Sequence, residues 1–283
     1  MKLDEANKIR KIQEQFSSGE DPTHVLLNVN KKCAYISNYL SGHFAVTKIK
    51  ENGMLGNGAY IESFESGSGV VKDRQKDSHP HGSAFKGDFV YCVDLGADCI
   101  RHYEHGKEYE FSAAAKTSTG PGTGPRHMTF HPKHDIAYVI TELSNEVITY
   151  KQSKVNGSLV EIARQSFLDD TLKVEGVTNY GSEIMVHPNG KYLYLSNRAL
   201  GGKGSLIAYE ITDQEGTLKK LEVTSLKGTW PRHFNIDPSG KVLLCADQFV
   251  NSIEVFYVDD HTGKVEKVEE VECSNSPSCI VFK

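Results

Sequence analysis

The chain has 283 residues, of which 38% are hydrophobic, and a formal net charge of -5. This charge, together with the lack of a basic run, argues against a nucleic-acid partner. No stretch of about 18 apolar residues predicts a membrane span, and the first residues lack the charged and apolar pattern of a secretory leader.

The six cysteines are scattered along the chain without a CxxC pair. Three of them fall in predicted buried strands, where a reduced thiol packs as a small hydrophobe. We therefore expect free, buried thiols and a cytoplasmic location. The six are Cys33, Cys92, Cys99, Cys245, Cys273 and Cys279.

In chain order, residues 1 to 20 allow two interpretations, because Leu3, Ala6, Ile9, Ile12 and Phe16 recur at near-helical spacing. We favour an exposed outer strand over residues 8 to 16, where Lys and Glu are frequent. Residues 51 to 80 are rich in Gly, Ser and charges and predict a long surface loop. A second small-residue loop is predicted over residues 112 to 124.

Residues 124 to 151 form a module that recurs along the chain. It has a Pro-Arg-His entrance, a short strand, a His-Pro turn, a buried strand, an acidic corner and a third strand. Similar modules begin at His24, His81, Glu183 and Arg232, and a half-copy, PSCIVF, begins at Pro277. Repeats of 45 to 57 residues, each a β-meander, are typical of propeller blades. We predict an all-β fold, a β-propeller of four-stranded blades, with residues 1–283 as a single domain.

Charged and imidazole side chains mark the ends of the predicted strands. In a propeller, the loops that enter the first strands form one mouth, so residues distant in sequence converge there. The entrances carry His24, His81, Arg126 with His127, Glu183, and Arg232 with His233. The corners after the second strands carry Asn38, Asp94, Glu142, Asn197 with Arg198, and Asp247 with Gln248. Arginine binds carboxylate or phosphate bidentately, so this set predicts a site for a small anionic substrate.

The histidines allow two interpretations. An entrance histidine can equally well hydrogen-bond neighbouring backbone, so the structural and functional readings of His24, His127 and His233 both stay open. His131 and His187 lie in His-Pro turns, and we interpret them as structural.

The arginines and one glutamate are easier to rank. We interpret Arg101 and Arg164 as solvated charges. Arg126, Glu142 and Arg198 lie at positions where the other repeats do not all carry the same residue. A repeated scaffold maintains shared residues, so departures are where function is expected.

The motifs GPRHMTFHP, LYLSNRALGG and WPRHFNIDPSGK resemble those of the seven-bladed propeller lactonase family. That family includes propeller-type 6-phosphogluconolactonases and 3-carboxy-cis,cis-muconate cyclases. The resemblance runs from about residue 20 to the end. In the cyclase branch it implies an active site of one His, two Arg and one Glu, which fall here on His81, Arg126, Glu142 and Arg198. It implies no cofactor and no metal.

Seven-bladed members usually carry another blade and more before the point where this chain starts. Against that pattern we expect this chain to lack about one to one and a half N-terminal blades. If the propeller is incomplete, its open edges would favour association with other chains.

The leading functional hypothesis is a lactonase of carbohydrate metabolism, a carboxylic-ester hydrolase acting on a sugar-acid lactone such as 6-phosphogluconolactone. Arg126 and Arg198 would hold the anion and stabilise the oxyanion. Glu142 or His81 would activate water, and the other would protonate the leaving alkoxide.

Two alternatives to the lactonase remain. One is a carboxymuconate cycloisomerase, an intramolecular lyase that uses the same side chains. The other is a non-catalytic propeller that binds partners. In either enzyme, a second set of residues is expected to contact the substrate: His127, Glu183, Arg232 and His233.

Overall fold

The computed structural model describes residues 2–3, 9–106, 111–112, 115–273 and 275–282. All regular structure in these ranges is β-strand, which confirms the predicted all-β class. None of the described segments forms a helix long and apolar enough to cross a membrane. Backbone contacts divide the chain into two compact units, Met1–Lys116 and Thr117–Lys283. The single domain predicted over residues 1–283 stays a prediction.

The first unit contains two four-stranded sheets, here called blades 1 and 2, although the last two residues of blade 2 fall beyond Lys116. A pair of two-residue strands, β1 (Lys2–Leu3) and β2 (Ile9–Arg10), precedes them. Blade 1 comprises β3 (Pro22–Asn28), β4 (Cys33–Asn38), β5 (His43–Ile49) and β6 (Leu55–Ser63). Blade 2 comprises β7 (Pro80–Lys86), β8 (Phe89–Asp94), β9 (Cys99–Glu104) and β10 (Ala115–Ser118).

The second unit contains blades 3, 4 and 5, which repeat the same meander. Blade 3 comprises β11 (Pro125–Phe130), β12 (Ile136–Thr141), β13 (Glu146–Gln152) and β14 (Leu159–Ser166). Blade 4 comprises β15 (Thr178–Val186), β16 (Tyr192–Leu200), β17 (Ser205–Ile211) and β18 (Leu218–Ser225). Blade 5 comprises β19 (Pro231–Ile236), β20 (Val242–Asp247), β21 (Ser252–Val258) and β22 (Val265–Glu272). These four-stranded meanders are the predicted blades of a β-propeller.

The outermost strands are where the sequence prediction was wrong. Strand β6 lies in the predicted 51–80 loop, and β10 lies in the predicted 112–124 loop. Edge strands face solvent and carry polar residues and glycine, so they lack the apolar alternation that marks a buried strand. Conversely, of the outer strand expected over residues 8 to 16, only Ile9–Arg10 is paired, and residue 8 lies outside the described residues.

The half-copy at the C-terminus is also not a strand. Residues 277–282 carry no strand pairing. They are bonded to β19 through side chains instead, since the Ile280 amide donates to His233 Nδ1 at 3.2 Å and Asn235 donates to the Ile280 carbonyl at 2.9 Å.

The cores of the second unit lie between successive blades. Leu193 and Leu195 of β16 pack toward the cluster that holds Ile136, Tyr138 and Ile140 of blade 3. Their neighbours Tyr192 and Tyr194 pack instead with Phe234 and Leu243 of blade 5. Successive side chains of a strand point to opposite faces, so one strand of blade 4 serves both interfaces.

His131 and His187 have the structural role that the sequence predicted. Each Nε2 donates to a glycine carbonyl of the following blade, His131 to Gly190 at 2.8 Å and His187 to Gly240 at 2.7 Å. Each Nδ1 accepts a backbone N–H of its own turn. Gly240 has φ +78°, and a Cβ there would lie 2.6 Å from the His187 ring, so glycine is required on both counts.

Four of the six cysteines are buried free thiols as predicted, and burial raises the pKa of Cys92 and Cys245 well above the ordinary value. Cys279 is exposed and Cys273 is half-buried, so the prediction was wrong for these two. They follow the last strand, outside the packed strands of blade 5.

Arg101 is not a solvated charge as expected. It is buried, forms an ion pair with Asp94 at 3.0 Å, and its guanidinium carbon lies 3.8 Å from the Phe64 ring centroid. Asp94 also accepts the hydroxyl of Ser78 and the amides of His79 and Ala97, so it closes the corner of blade 2.

Candidate active site

A β-bulge at the start of the first strand presents the candidate residues. In blade 3, Pro125 pairs with Thr141 and His127 with Ile140, so Arg126 is the extra residue. A bulge bends the strand and re-aims the side chain it carries. The same register break makes Thr23, His81 and Arg232 the extra residues of blades 1, 2 and 5.

This register corrects the sequence alignment of the repeats. His81 is equivalent to Arg126 and Arg232, whereas the position of His24, His127 and His233 is occupied in blade 2 by Gly82. In blade 4 the break is longer and leaves Ser182 and Glu183 unpaired in the ladder.

The residues that directly follow the corner residue of each second strand are also equivalent to one another. Pro125 opposes Thr141, Gly181 opposes Asn197 and Pro231 opposes Asp247, so Glu142, Arg198 and Gln248 are equivalent. The corner residues themselves serve their own blades. Asp247, for example, accepts the amides of Trp230 and Phe249 at 2.8 and 3.0 Å.

Arg126, Glu142 and Arg198 meet in the second unit. Glu142 Oε2 lies 2.6 Å from Arg198 Nη2 and 3.2 Å from Arg126 Nε. Arg126 also donates to the Ser182 carbonyl and Arg198 to the Gly181 carbonyl, both at 2.8 Å. All three side chains are buried, with Arg198 only 4% exposed. The backbone carbonyls therefore hold both guanidiniums in place independently of Glu142.

The electrostatics of this group favour an added negative charge. Burial and the nearby Arg198 lower the pKa of Arg126 to about 9, although Glu142 partly opposes this shift. Arg126 is thus still charged at neutral pH. Two guanidiniums face one carboxylate, and an anion that enters between them relieves their repulsion.

A second cluster surrounds Glu183. His127 Nδ1 donates to its carboxylate at 2.9 Å, and His233 Nε2 lies 3.3 Å from Oε2. Burial alone would raise the pKa of Glu183, but His127, His233 and Arg126 together lower it below its usual range. Burial lowers the pKa of His127, which Glu183 only partly offsets. We conclude that His127 is neutral and Glu183 ionised at pH 7.

The two clusters touch through Arg126, whose Nη1 lies 3.4 Å from His127 Nε2. Arg232 lies beside them, with its Nη1 3.5 Å from Gln248 Oε1. Together the two clusters and Arg232 contain three guanidiniums and two carboxylates, which give a net charge of +1 when the histidines are neutral. Of the sequence-predicted site residues, the second unit thus brings seven into contact or into adjacent positions: Arg126, His127, Glu142, Glu183, Arg198, Arg232 and His233.

The eighth residue, His81, belongs to the first unit. It is buried in blade 2 and lies edge-on to Tyr39, with ring centroids 5.5 Å apart. Tyr39 is in turn stacked on His79 at 4.2 Å.

Sequence reasoning missed an aromatic group beside Arg198. The guanidinium carbon of Arg198 lies 4.9 Å from the Trp230 ring centroid and 5.8 Å from the Tyr180 ring centroid. Phe249 is stacked on Trp230 at 4.9 Å with an interplanar angle of 11°. The register could have revealed two of the three, because Tyr180 and Trp230 occupy the same repeat position, directly before Gly181 and Pro231.

The described residues contain no group of three or more His, Cys, Asp or Glu arranged to hold a metal ion. The arrangement can bind an anion, polarise a carbonyl oxygen with arginine and move protons through a carboxylate or an imidazole. That is the chemistry of a hydrolytic or isomerising enzyme built on propeller blades.

Comparison with known proteins identifies the family. The model of the family described as Lactonase, 7-bladed beta-propeller matches residues 1–282, and the chain belongs to this family of lactone-hydrolysing enzymes. Five blades fall within the described residues, against the seven of the family description.

Three similar proteins illustrate the relationship. A 6-phosphogluconolactonase of Formosa agariphila is 33% identical over 98% of this chain and 78% of the relative. A 6-phosphogluconolactonase of Bacillus subtilis is 32% identical over 96% of this chain and 76% of the relative. The solved structure of the periplasmic gluconolactonase of Pseudomonas aeruginosa matches with a TM-score of 0.82 and 27% identity over 91% of this chain and 72% of that one.

Proposed function

We propose that this chain hydrolyses a sugar-acid lactone that carries an anionic group, with 6-phosphogluconolactone as the leading substrate. The observation that carries the proposal is the pair of buried guanidiniums that share one carboxylate oxygen. The names of the relatives from Formosa agariphila and Bacillus subtilis support the choice of substrate.

In the proposed reaction, the anionic substrate competes with Glu142 for Arg126 and Arg198. One guanidinium then holds the phosphate or carboxylate, and the other faces the lactone carbonyl oxygen, where negative charge develops as water adds. Displacement from the arginines frees Glu142 to accept a proton from the attacking water. The ring C–O bond then breaks, and the departing alkoxide takes up a proton.

We also propose His81 as a proton-transfer residue, a role that rests on its bulge position in blade 2 and on the family resemblance. His127, Glu183, Arg232 and His233 are the proposed substrate contacts. Glu183 accepts the N–H groups of His127 and His233 and so fixes the orientation of both rings, while Arg232 contributes a half-buried guanidinium.

The test is an enzyme assay with variants. Lactone hydrolysis is followed by proton release for 6-phosphogluconolactone and glucono-δ-lactone, each corrected for spontaneous hydrolysis, with carboxymuconate cyclisation as a parallel arm. Glu142→Gln and His81→Asn should lower kcat while the substrate still binds. His187→Asn, a turn substitution, is the control.

Full activity in both Glu142→Gln and His81→Asn would end the acid/base assignment. Activity on carboxymuconate alone would replace the lactonase with the cycloisomerase. A folded protein inactive on every substrate would leave a binding protein.

We also propose a cytoplasmic location. The buried free thiols of Cys33, Cys92, Cys99 and Cys245 support it, because such cysteines are typical of a reducing compartment. Fractionation of the source cells, with detection of this chain outside the cytoplasm, would contradict it.

A further inference from the structure

The aromatic group beside Arg198 lies at corresponding positions of blades 4 and 5. Tyr180 and Trp230 are equivalent residues, and blade 3 carries Gly124 at the same place. The same position holds Asp21 in blade 1 and His79 in blade 2, so the repeat itself does not require a large aromatic side chain there.

Trp230 is held firmly by its backbone. Its amide donates to Asp247 Oδ2 at 2.8 Å, and its carbonyl accepts the Gln248 amide at 3.1 Å. Asp247 Oδ1 also accepts the amide of Phe249, so one buried carboxylate orders both stacked residues. A Cβ at Gly228 would lie 2.2 Å from this carboxylate, so the loop before Trp230 is built around it.

The rings are only partly buried although they flank a buried charge. Phe249 is 57% exposed, and Tyr180 and Trp230 are half-buried, whereas the guanidinium that they flank is 4% exposed. Exposed aromatic surface at a polar site favours contact with a ligand. In the described part of the chain, Arg198 Nε makes no hydrogen bond, so this buried N–H is still available to a bound group.

We propose that Tyr180, Trp230 and Phe249 form an aromatic wall of the substrate site, in which Trp230 positions Arg198 and its ring covers the C–H face of the lactone ring. The proposal rests on the proposed lactonase function. A guanidinium over an aromatic face is stabilised by the ring quadrupole. A sugar-derived ring offers C–H groups on its faces and hydroxyls at its edge, which suits an apolar wall beside a charged corner.

The chain supplies its own probe of this wall, because Trp230 is its single tryptophan. Tryptophan emission, excited selectively over that of the 13 tyrosines, therefore reports on this position alone. The stable product, 6-phosphogluconate, is titrated against the native protein, and binding is measured in parallel by calorimetry. We expect a saturable change in emission whose dissociation constant matches the calorimetric value.

Variants separate a positioning role from a structural one. Trp230→Leu keeps an apolar side chain but removes the ring, and should lower kcat/KM about tenfold, which is the equivalent of about 1.4 kcal/mol. Trp230→Phe restores a ring and should recover most of this loss. Tyr257→Leu is the matched control, because Tyr257 is 45% exposed and pairs with Val242, at the end of the β20–β21 pair that is farther from Asp247.

The outcomes are distinct. Calorimetric binding without an emission change, no binding at all, or equal kinetics for Trp230→Leu and the native protein would overturn the wall. If Trp230→Leu does not fold, Trp230→Phe and the titration of the native protein still decide. A native protein that hydrolyses no lactone but shows the saturable emission change would refute the proposed function and retain the wall as a ligand site.

Discussion

At the scale of single residues, Arg126 is the most demanding side chain of the site. It is fully buried, it pairs with Glu142 and it donates to the Ser182 carbonyl. A lysine there would keep a positive charge but could not maintain both contacts, because it lacks the planar fork.

We therefore expect Arg126→Lys to be nearly as damaging as Arg126→Ala. Each should lower kcat/KM by roughly a hundredfold or more, since a lost contact to developing negative charge typically costs about 3 kcal/mol. Steady-state kinetics and a melting curve for each variant make the measurement, with Arg164→Lys, at a half-buried arginine that pairs with Glu146 and Glu161, as the control. A Lys variant with near-native kinetics would show that a point charge is enough.

His127 makes the stability of the second cluster depend on pH. Its pKa is lowered in the folded protein, mainly by burial, so the unfolded chain takes up a proton first as the pH falls. The stabilisation is therefore complete above the ordinary histidine pKa of about 6.5 and is lost below it. Glu183, whose pKa is also lowered, adds a second loss below the ordinary range of a carboxyl group.

The corresponding prediction compares the native protein with His127→Gln. The native protein should be the more stable at pH 7.5, and its advantage should shrink between pH 6.5 and 5, by at most about 1.4 kcal/mol per pH unit for one proton. Urea unfolding at several pH values gives the difference. An advantage that is constant from pH 7.5 to 5 would mean that His127 does not titrate on unfolding.

At the scale of elements, the connection between blades is made by turn histidines and by packing. The His187 bond to Gly240 joins blade 4 to blade 5, and Leu193 and Tyr192 pack on opposite neighbours. Neither histidine bond belongs to the substrate cluster.

His187→Asn should therefore reduce stability and leave turnover unchanged. Removal of one buried bond that leaves the Gly240 carbonyl without its donor typically costs about 1–3 kcal/mol. Thermal melting and steady-state kinetics are compared with those of the control variant His134→Asn. His134 is stacked on His131, the turn histidine of blade 3. A fall in kcat with native stability would place His187 in the machinery instead.

At the scale of the whole molecule, the charge distribution is uneven. The chain carries a net charge of -5, yet the cluster around Arg126 and Glu183 carries three guanidiniums and two carboxylates. The cluster therefore attracts an anionic substrate although the protein as a whole repels it. Salt screens both the attraction and the repulsion where the charges are exposed to solvent.

Substrate charge gives a matched comparison. Between about 0.05 and 0.5 M salt, the KM for 6-phosphogluconolactone should rise several-fold, because screening and competing anions weaken the arginine contacts. The KM for the uncharged glucono-δ-lactone should change much less. Initial rates for both lactones over the salt series make the test, and an equal response would mean that the arginines do not hold the phosphate.

The sequence alone determined the architecture and most of the candidate side chains. Repeated apolar alternation and turn residues identify the inner strands, because burial on both faces of a blade constrains every position. The exposed edge strands β6 and β10 escaped prediction because solvent places no such constraint on them. Arg126, Glu142 and Arg198 stood out because the repeats do not all carry the same residue at these positions.

Only the tertiary structure decided which of these residues touch. The bulge assigns His81 to the position of Arg126 and not to that of His24, a one-residue shift that changes which side chains are equivalent. Arg101 pairs with Asp94 at the corner of blade 2, and Trp230 lies beside Arg198. Both contacts join residues of different strands or blades. A side chain's environment depends on what folds against it, and residues far apart in the chain supply that environment.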